Sequence, residues 1–196
     1  MNLPNSLTLT RIILAPVVFV LLWIPEWFAI HNLTITVVAL VLFLFIEVTD
    51  LADGFIARKY GLVTDLGKLL DPFSDVFSRI TYFITFLAFG ILNPIFCLII
   101  LYREFSMVFI RMILAQKGIA LAAKSGGKLK SVFYFLASFM AMAFIFLSRG
   151  GFLLDYHQVI RLSVDILFAT SALLALISFV DYLIIFLKKM SEISRM

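Results

Sequence analysis

Charged side chains are scarce in this sequence of 196 residues. They make up 14% of it, against about a quarter in a soluble domain, while 63% of the residues are hydrophobic. Phenylalanine alone, with 22 residues, outnumbers the 12 aspartates and glutamates. So few polar groups cannot cover the apolar surface of a folded chain. The composition therefore predicts that lipid, rather than water, surrounds much of this protein.

Cysteine is scarce, and we expect no cleavable leader. The single cysteine, Cys97, excludes an internal disulfide and lies in an apolar run, where a small helix residue is expected. The amino terminus has neither the charged region nor the cleavage site of a signal peptide, so we expect it to be retained. The net charge of +4 comes without an arginine-rich tract, so we expect no nucleic-acid partner. The length suits one domain, residues 1–196.

Long apolar stretches dominate what is present. A helix needs about 20 mostly apolar residues to cross a bilayer, and six stretches qualify. They predict an all-α integral membrane protein with six transmembrane helices. Pro25 ends the first helix, Pro94 opens the fourth, and Gly150 with Gly151 ends the fifth. The six predicted spans cover approximately residues 7–24, 33–52, 72–91, 94–116, 130–148 and 159–187.

Basic residues outside the spans give the orientation. Six spans put both termini on one side, and the other side then receives only Arg149 and Arg161. The positive-inside rule places both termini and the 53–71 loop in the cytoplasm. The basic residues of that side are Arg11, Arg58, Lys59, Lys68, Lys117, Lys124, Lys128, Lys130, Lys188, Lys189 and Arg195.

Acidic residues cluster at the cytoplasmic ends of the second and third helices. Carboxylates at membrane depth are costly, so each needs a partner or a purpose. Spacings of three and four residues put each aspartate pair on one helical face. Four converging carboxylates, with no adequate basic complement among them, predict divalent cations and a two-metal site for transfer at phosphorus. The four are Asp50, Asp53, Asp71 and Asp75, and Glu47 lies one turn before Asp50.

The residues between the aspartates support a phosphate site. Gly54 lets a ligand approach the backbone, Arg58 supplies a phosphate-binding fork, and Ala57 and Gly67 lie on the faces of the aspartates. The alternative is that the glycines only aid helix packing and that Arg58 only anchors the loop. Taken together, the residues favour the phosphate site.

The complete segment resembles a known family motif. From Asp50 to Asp75 it matches D-x2-D-G-x2-A-R-x8-G-x3-D-x3-D, the motif of CDP-alcohol phosphatidyltransferases, at all eight fixed positions. The opening Pro4-Asn5-x-x-Thr8-x-x-Arg11, the six spans, the Arg103-Glu104 pair and the Gly127-Lys128-x-Lys130 segment are similar to the bacterial phosphatidylglycerophosphate synthases of that family.

The resemblance implies a mechanism and a ligand set. Two ions, Mg²⁺ or Mn²⁺, would be bound by Asp50, Asp53, Asp71 and Asp75, and Asp75 would also be the general base. The acceptor hydroxyl would attack the β-phosphorus of CDP-diacylglycerol, and CMP would leave. Homodimers are common in the family, and a homodimer is expected here. The residues implied in CDP binding are Asn5, Thr8, Asp50, Asp53, Gly54, Ala57, Arg58, Gly67 and Asp71.

Charges inside the later spans suggest the acceptor. Arg103 and Arg111 share one face of the fourth helix, and Lys128 and Lys130 open the fifth. They predict a basic pocket for an acceptor that carries phosphate, which favours glycerol 3-phosphate or inositol phosphate over serine or choline. The alternative is that Arg103 neutralises Glu104 or a motif aspartate, and that the lysines contact lipid headgroups.

One position departs from the phosphatidylglycerophosphate synthase pattern. Those enzymes usually read D-P-x-A-D-K at the end of the motif, whereas Val76 stands here in place of the lysine. Arg79, one turn beyond Asp75, is the candidate replacement. Asp165 and Asp181 have no evident partner and receive no catalytic role. A divalent-cation carrier is the non-enzyme alternative, but a carrier would favour carboxylates near the midplane and repeated halves, and no repeat is present.

Overall fold

The computed structural model describes residues 3–30, 32–60, 65–117 and 125–193. Within these ranges it excludes the side chains of residues 3–4, 51, 53–58, 65–66, 68–69, 125–128 and 193. The described residues form six α-helices joined by short connections, and a single 3₁₀ turn, Leu154–Tyr156, precedes the last of them. The helices are α1 (Leu3–Phe28), α2 (Leu33–Lys59), α3 (Asp65–Ala88), α4 (Pro94–Gln116), α5 (Ser125–Gly150) and α6 (His157–Ile193).

Within the described residues, four helices are long and apolar enough to cross a membrane. They provide the segments Asn5–Phe28, Leu33–Asp50, Leu129–Gly150 and Leu154–Glu192. The sequence predicted six spans, and the two further helices, α3 and α4, are interrupted by charged residues. Arg79, Arg103 and Glu104 are among these, and Arg103 and Glu104 are buried. These charged side chains face other helices of the bundle. They also lower the mean hydropathy of α3 and α4.

The predicted helix boundaries require three corrections. α1 continues through Pro25 to Phe28, because proline has a helical φ and removes one hydrogen bond that the rest of the helix tolerates. α2 runs on to Lys59 and α3 begins at Asp65, so most of the predicted 53–71 loop is helical. In α2 and α3 the apolar stretch stops where polar residues begin, but the helix continues through those polar residues.

Two predicted helix boundaries are confirmed. Asn93 caps α4 by accepting a hydrogen bond from the Ile95 backbone N–H at 2.9 Å, with Pro94 at the first helical position. α5 ends at Gly150, and Gly151 follows with φ +67°, a conformation that favours glycine.

Packed aromatic rings form the centre of the bundle. The Phe83 ring meets the rings of Tyr134 and Phe168 edge to face, at centroid distances of 5.6 and 5.7 Å. α1 packs against both α2 and α3, and α6 packs against α4 and α5. Large apolar side chains such as Phe45 and Phe109 remain on the outside. An apolar exterior around a packed core is the arrangement that suits lipid.

Candidate active site

The aspartate cluster lies where the start of α1 meets the end of α2 and the start of α3. Asp50 is on α2, and Asp71 and Asp75 are on α3. α2 continues as a helix to Lys59, so the backbone of Asp53 belongs to α2 as well. The two helices that carry the motif, α2 and α3, both pack against α1.

Arg11 of α1 joins the two helices. Its Nη1 donates a hydrogen bond to Asp75 Oδ1 at 3.0 Å and another to Asp50 Oδ1. Arg11 is 2% exposed. Arg11 thus brings one positive charge to the cluster from a helix distant in the sequence. In the sequence, Arg11 was noted as a cytoplasmic charge and as the last residue of the opening segment that resembles phosphatidylglycerophosphate synthases, but not as a partner of the aspartates.

Thr8 fixes the third described aspartate. Its hydroxyl donates to Asp71 Oδ1 at 2.9 Å, and its backbone oxygen accepts from Ser74 Oγ at 3.3 Å. Thr8 is fully buried and Asn5 is nearly so. Thr8 and Asn5, both expected near the nucleotide, thus lie on the face of α1 that meets the aspartates.

The motif residues of the α2 end are only partly described. The side chains of Asp53, Gly54, Ala57 and Arg58, and that of Lys128, lie outside the described residues. Gly67 is described and buried. Glu47 lies close enough to Arg79, Asp75 and Arg11 to interact with each electrostatically.

The cluster suits divalent cations by its donor chemistry. Carboxylate oxygens are the ligands that Mg²⁺ and Mn²⁺ prefer. One guanidinium nitrogen, Arg11 Nη1, bonds both Asp50 and Asp75, so carboxylates from two helices already share a single positive group. Among the described side chains no three acidic, His or Cys residues form a metal-binding group. Asp53, the fourth motif aspartate, is not among them.

A cavity of about 380 Å³ opens beside Asp75. It collects residues from α3, α4, α5 and α6, and four of its side chains are basic. The described residues of the predicted acceptor pocket all line it: Arg79, Arg103, Arg111 and Lys130. Val76, which stands where a lysine is usual, lines it as well, one helical turn from Arg79.

Buried ion pairs organise the inner wall of this cavity. Glu104 accepts a hydrogen bond from Arg103 Nη1 at 3.1 Å and another from Lys130 Nζ. The alternative interpretation of Arg103, that it neutralises Glu104, is thus correct for one nitrogen. Arg103 Nη2 donates to Ser178 Oγ of α6 at 3.0 Å, whereas Arg103 Nε is buried with no hydrogen-bond partner in the described part of the chain.

Tyr134 supports two of the basic groups. Lys130 Nζ lies 4.7 Å, and the Arg79 guanidinium carbon 5.7 Å, from the centre of its ring. Sequence reasoning missed Tyr134 and Ser178, which carry no charge and belong to no motif. It also missed the partner of Asp165, which is Arg161 at 3.4 Å, although their four-residue spacing on a helix was a usable signal.

Comparison with known proteins identifies the family of this chain. The family model for CDP-alcohol phosphatidyltransferase matches residues 1–180. The CDP-diacylglycerol–glycerol-3-phosphate 3-phosphatidyltransferase of Treponema pallidum is 34% identical over 166 residues, which are 82% of this chain and 76% of the relative.

Relatives with the same printed name occur in distant bacteria. The protein of Bacillus subtilis is 35% identical over 136 residues, 66% of this chain and 70% of its own length. That of Aquifex aeolicus is 31% identical over 188 residues, 93% of this chain and 94% of its own. Together with the long apolar helices, these matches show that the chain is an integral membrane protein and belongs to the CDP-alcohol phosphatidyltransferase family of enzymes.

Proposed function

We propose that this chain transfers the phosphatidyl group of CDP-diacylglycerol to sn-glycerol 3-phosphate, giving phosphatidylglycerophosphate and CMP. One observation carries the choice of acceptor: the cavity that adjoins Asp75 is lined by four basic side chains. The printed names of the relatives, which act on these two substrates, support the same choice.

The donor occupies the aspartate cluster in this proposal. Asp50, Asp53, Asp71 and Asp75 would hold two divalent ions, Mg²⁺ or Mn²⁺. When bound, these ions offset the negative charge on the oxygens of the pyrophosphate, including those of the reacting phosphate group. The cytidine and its phosphates would contact the adjoining motif residues. These are Asn5, Thr8, Gly54, Ala57, Arg58 and Gly67.

Asp75 is suited to the proton transfer. It lies both in the aspartate cluster and on the wall of the basic cavity, so it adjoins both substrates. As the acceptor hydroxyl oxygen forms its bond to the β-phosphorus, Asp75 takes the hydroxyl proton. The bond from that phosphorus to the oxygen shared with the α-phosphate breaks, and CMP leaves with the electron pair.

The charge of the cavity fits a phosphate monoester. Its four basic groups, Arg79, Arg103, Arg111 and Lys130, face two carboxylates, Asp75 and Glu104. The remaining two positive charges match a phosphate dianion. Serine and choline bring no such group. Nη1 and Nη2 of Arg103 each keep a second N–H beside the bonds to Glu104 and Ser178, and these would donate to a phosphate oxygen.

Around this chemistry we propose a membrane arrangement. All six helices cross the cell membrane as one domain, residues 1–196, and both termini and the aspartate cluster face the cytoplasm. The charge distribution of the sequence supports this arrangement. The water-soluble acceptor and CMP would then exchange with the cytoplasm, while the donor enters from the bilayer. A homodimer is the expected assembly.

An acceptor screen tests the proposed function. Purified protein, CDP-diacylglycerol and Mg²⁺ or Mn²⁺ are mixed separately with glycerol 3-phosphate, inositol phosphate, serine and choline. We expect metal-dependent CMP release and a lipid product with the mass of phosphatidylglycerophosphate from glycerol 3-phosphate alone. Product from another alcohol only would show that the acceptor is wrong. No CMP release with any alcohol would favour a non-enzymatic role such as cation transport.

A further inference from the structure

α6 contains no motif residue, yet one of its side chains lines the cavity and another bonds a lining residue. Ser178 accepts the hydrogen bond from Arg103 Nη2, across 75 positions of sequence. Tyr182, one turn later on the same face, lines the cavity and is buried. The inner wall of the cavity therefore depends on a helix that the family motif does not reach.

The hydroxyl of Ser178 is oriented to accept. A serine hydroxyl has one proton and two lone pairs. Ser178 Oγ directs its proton to the backbone oxygen of Ala175 at 3.4 Å, which leaves the lone pairs for Arg103. Ser178 is 3% exposed and Arg103 is 6% exposed, so water has little access to either. A hydrogen bond to a charged group in such a place is stronger than one in water.

Two contacts then define the position of the guanidinium. Glu104 holds Nη1 on one side and Ser178 holds Nη2 on the other, from α4 and α6 respectively. A planar guanidinium bonded at both ends cannot rotate freely. Each of these two nitrogens keeps a second N–H, and the side chain of Arg103 lines the cavity.

We propose that Ser178 is a positioning residue for the acceptor: it fixes Arg103 so that the free donors of the guanidinium meet the acceptor phosphate. This inference rests on the proposed transfer to glycerol 3-phosphate. Ser178 contacts no reacting atom. Its loss should weaken binding of the acceptor and leave the donor site unchanged.

The test compares variants of the full chain in detergent. Ser178→Ala removes the acceptor, Ser178→Cys keeps the volume with a weak acceptor, and Ser178→Thr keeps the hydroxyl. The matched control is Ser171→Ala, seven residues earlier on the same helix. Ser171 is fully buried, and its hydroxyl has no hydrogen-bond partner among the described residues. The KM for each substrate and kcat are measured, with thermal unfolding to confirm folding.

We expect Ser178→Ala to raise the KM for glycerol 3-phosphate about tenfold, with the KM for CDP-diacylglycerol unchanged. Ser178→Cys should behave similarly, Ser178→Thr should restore most of the affinity, and Ser171→Ala should match wild type. In an Arg103→Ala background, Ser178→Ala should add no further effect, because the serine acts through the arginine.

Several outcomes would overturn the inference. An unchanged acceptor KM in a folded Ser178→Ala or Ser178→Cys protein removes the positioning role. An additive effect in the Arg103→Ala background does the same, as does an equal rise in both KM values. If the wild-type protein itself makes no product from glycerol 3-phosphate, the proposed function fails first, and this inference falls with it.

Discussion

At the scale of single residues, the site depends on charged side chains that lie between groups of the opposite charge. Arg11 bonds Asp50 and Asp75, which come from different helices, and Glu104 in turn lies between Arg103 and Lys130. Like charges at such distances repel unless an opposite charge separates them. The proposed donor and acceptor sites thus have the same arrangement with the signs reversed, and Asp75 belongs to both the aspartate cluster and the cavity wall.

Replacement of Asp75 tests its role as the base. Asp75→Asn keeps the shape of the side chain and removes the proton acceptor. We expect kcat for CMP release to fall by at least about 100-fold, since a positioned general base contributes at least that factor. Initial rates with saturating CDP-diacylglycerol and glycerol 3-phosphate measure the loss.

The control for this change is Asp165→Asn, the same substitution at the opposite end of the bundle. Asp165 pairs with Arg161 and lies outside the cluster, so its variant should retain wild-type rates. Because Asp75 is also an expected metal ligand, binding of Mn²⁺ to the variant is measured by paramagnetic resonance. A slow variant that still binds two ions supports the base, whereas wild-type kcat in Asp75→Asn removes it.

At the scale of helices, charge separates the bundle into two kinds of element. α1, α2, α5 and α6 are apolar enough to cross a membrane by composition, whereas α3 and α4 carry charged residues that line the cavity. The fold depends on contacts that join these helices at both ends. Away from the active site, Arg149 of α5 provides such a contact.

Arg149 links three helices at that end. Its Nη2 donates to the Leu22 backbone oxygen at 2.6 Å and to Glu26 at 3.0 Å, both on α1, while Nη1 donates to Thr36 on α2 at 3.0 Å. We expect Arg149→Ala to destabilise the fold by about 1.5–3 kcal/mol, because these bonds involve a charged donor. Thermal unfolding in detergent should show a lower midpoint than wild type.

The comparison variant is Lys188→Ala, which removes an exposed positive charge from α6. It should leave the unfolding midpoint unchanged. Folded Arg149→Ala protein at low temperature should keep the wild-type KM for glycerol 3-phosphate, because Arg149 is outside the cavity. A midpoint equal to that of wild type would show that the three bonds contribute no net stability.

At the scale of the whole molecule, the two ends of the bundle differ in chemistry. One end contains the aspartates and the basic cavity, and the other contains the Arg149 contacts and the turn at Gly90. Between them, large apolar side chains cover the outside. Lipid around the middle and water at both ends are consistent with this distribution.

Cysteine labelling tests the proposed six-span arrangement. Cys97 is buried and is first replaced by alanine, and single cysteines are then introduced at the exposed positions Tyr60, Ile95 and Asp155. In intact cells, an impermeant maleimide should label Ile95→Cys and Asp155→Cys but not Tyr60→Cys. Lysed cells provide the control, in which all three should react. Protection of Ile95→Cys in intact cells would show that α3 and α4 do not both cross the membrane.

The sequence by itself determined the family, the helical membrane class and most of the motif geometry. These follow from composition and from spacings of three to four residues within one helix, which local backbone geometry sets. The match of the family model and the described helices agree with them. The predicted ends of the first helix at Pro25 and of the second at about residue 52 were wrong, because hydropathy marks the bilayer, whereas a helix ends where its backbone hydrogen bonds end.

Only the tertiary structure decided which distant residues complete the site. Arg11 lies 39 and 64 positions from Asp50 and Asp75, and Ser178 lies 75 positions from Arg103. No local rule links such positions, because their contact depends on how three helices pack. The basic residues of the later helices were visible in the sequence as charges. Packing places Arg79, Arg103, Arg111 and Lys130 around one cavity beside Asp75. Arg103 and Lys130 are buried there, and buried charges need partners, which they find in Glu104.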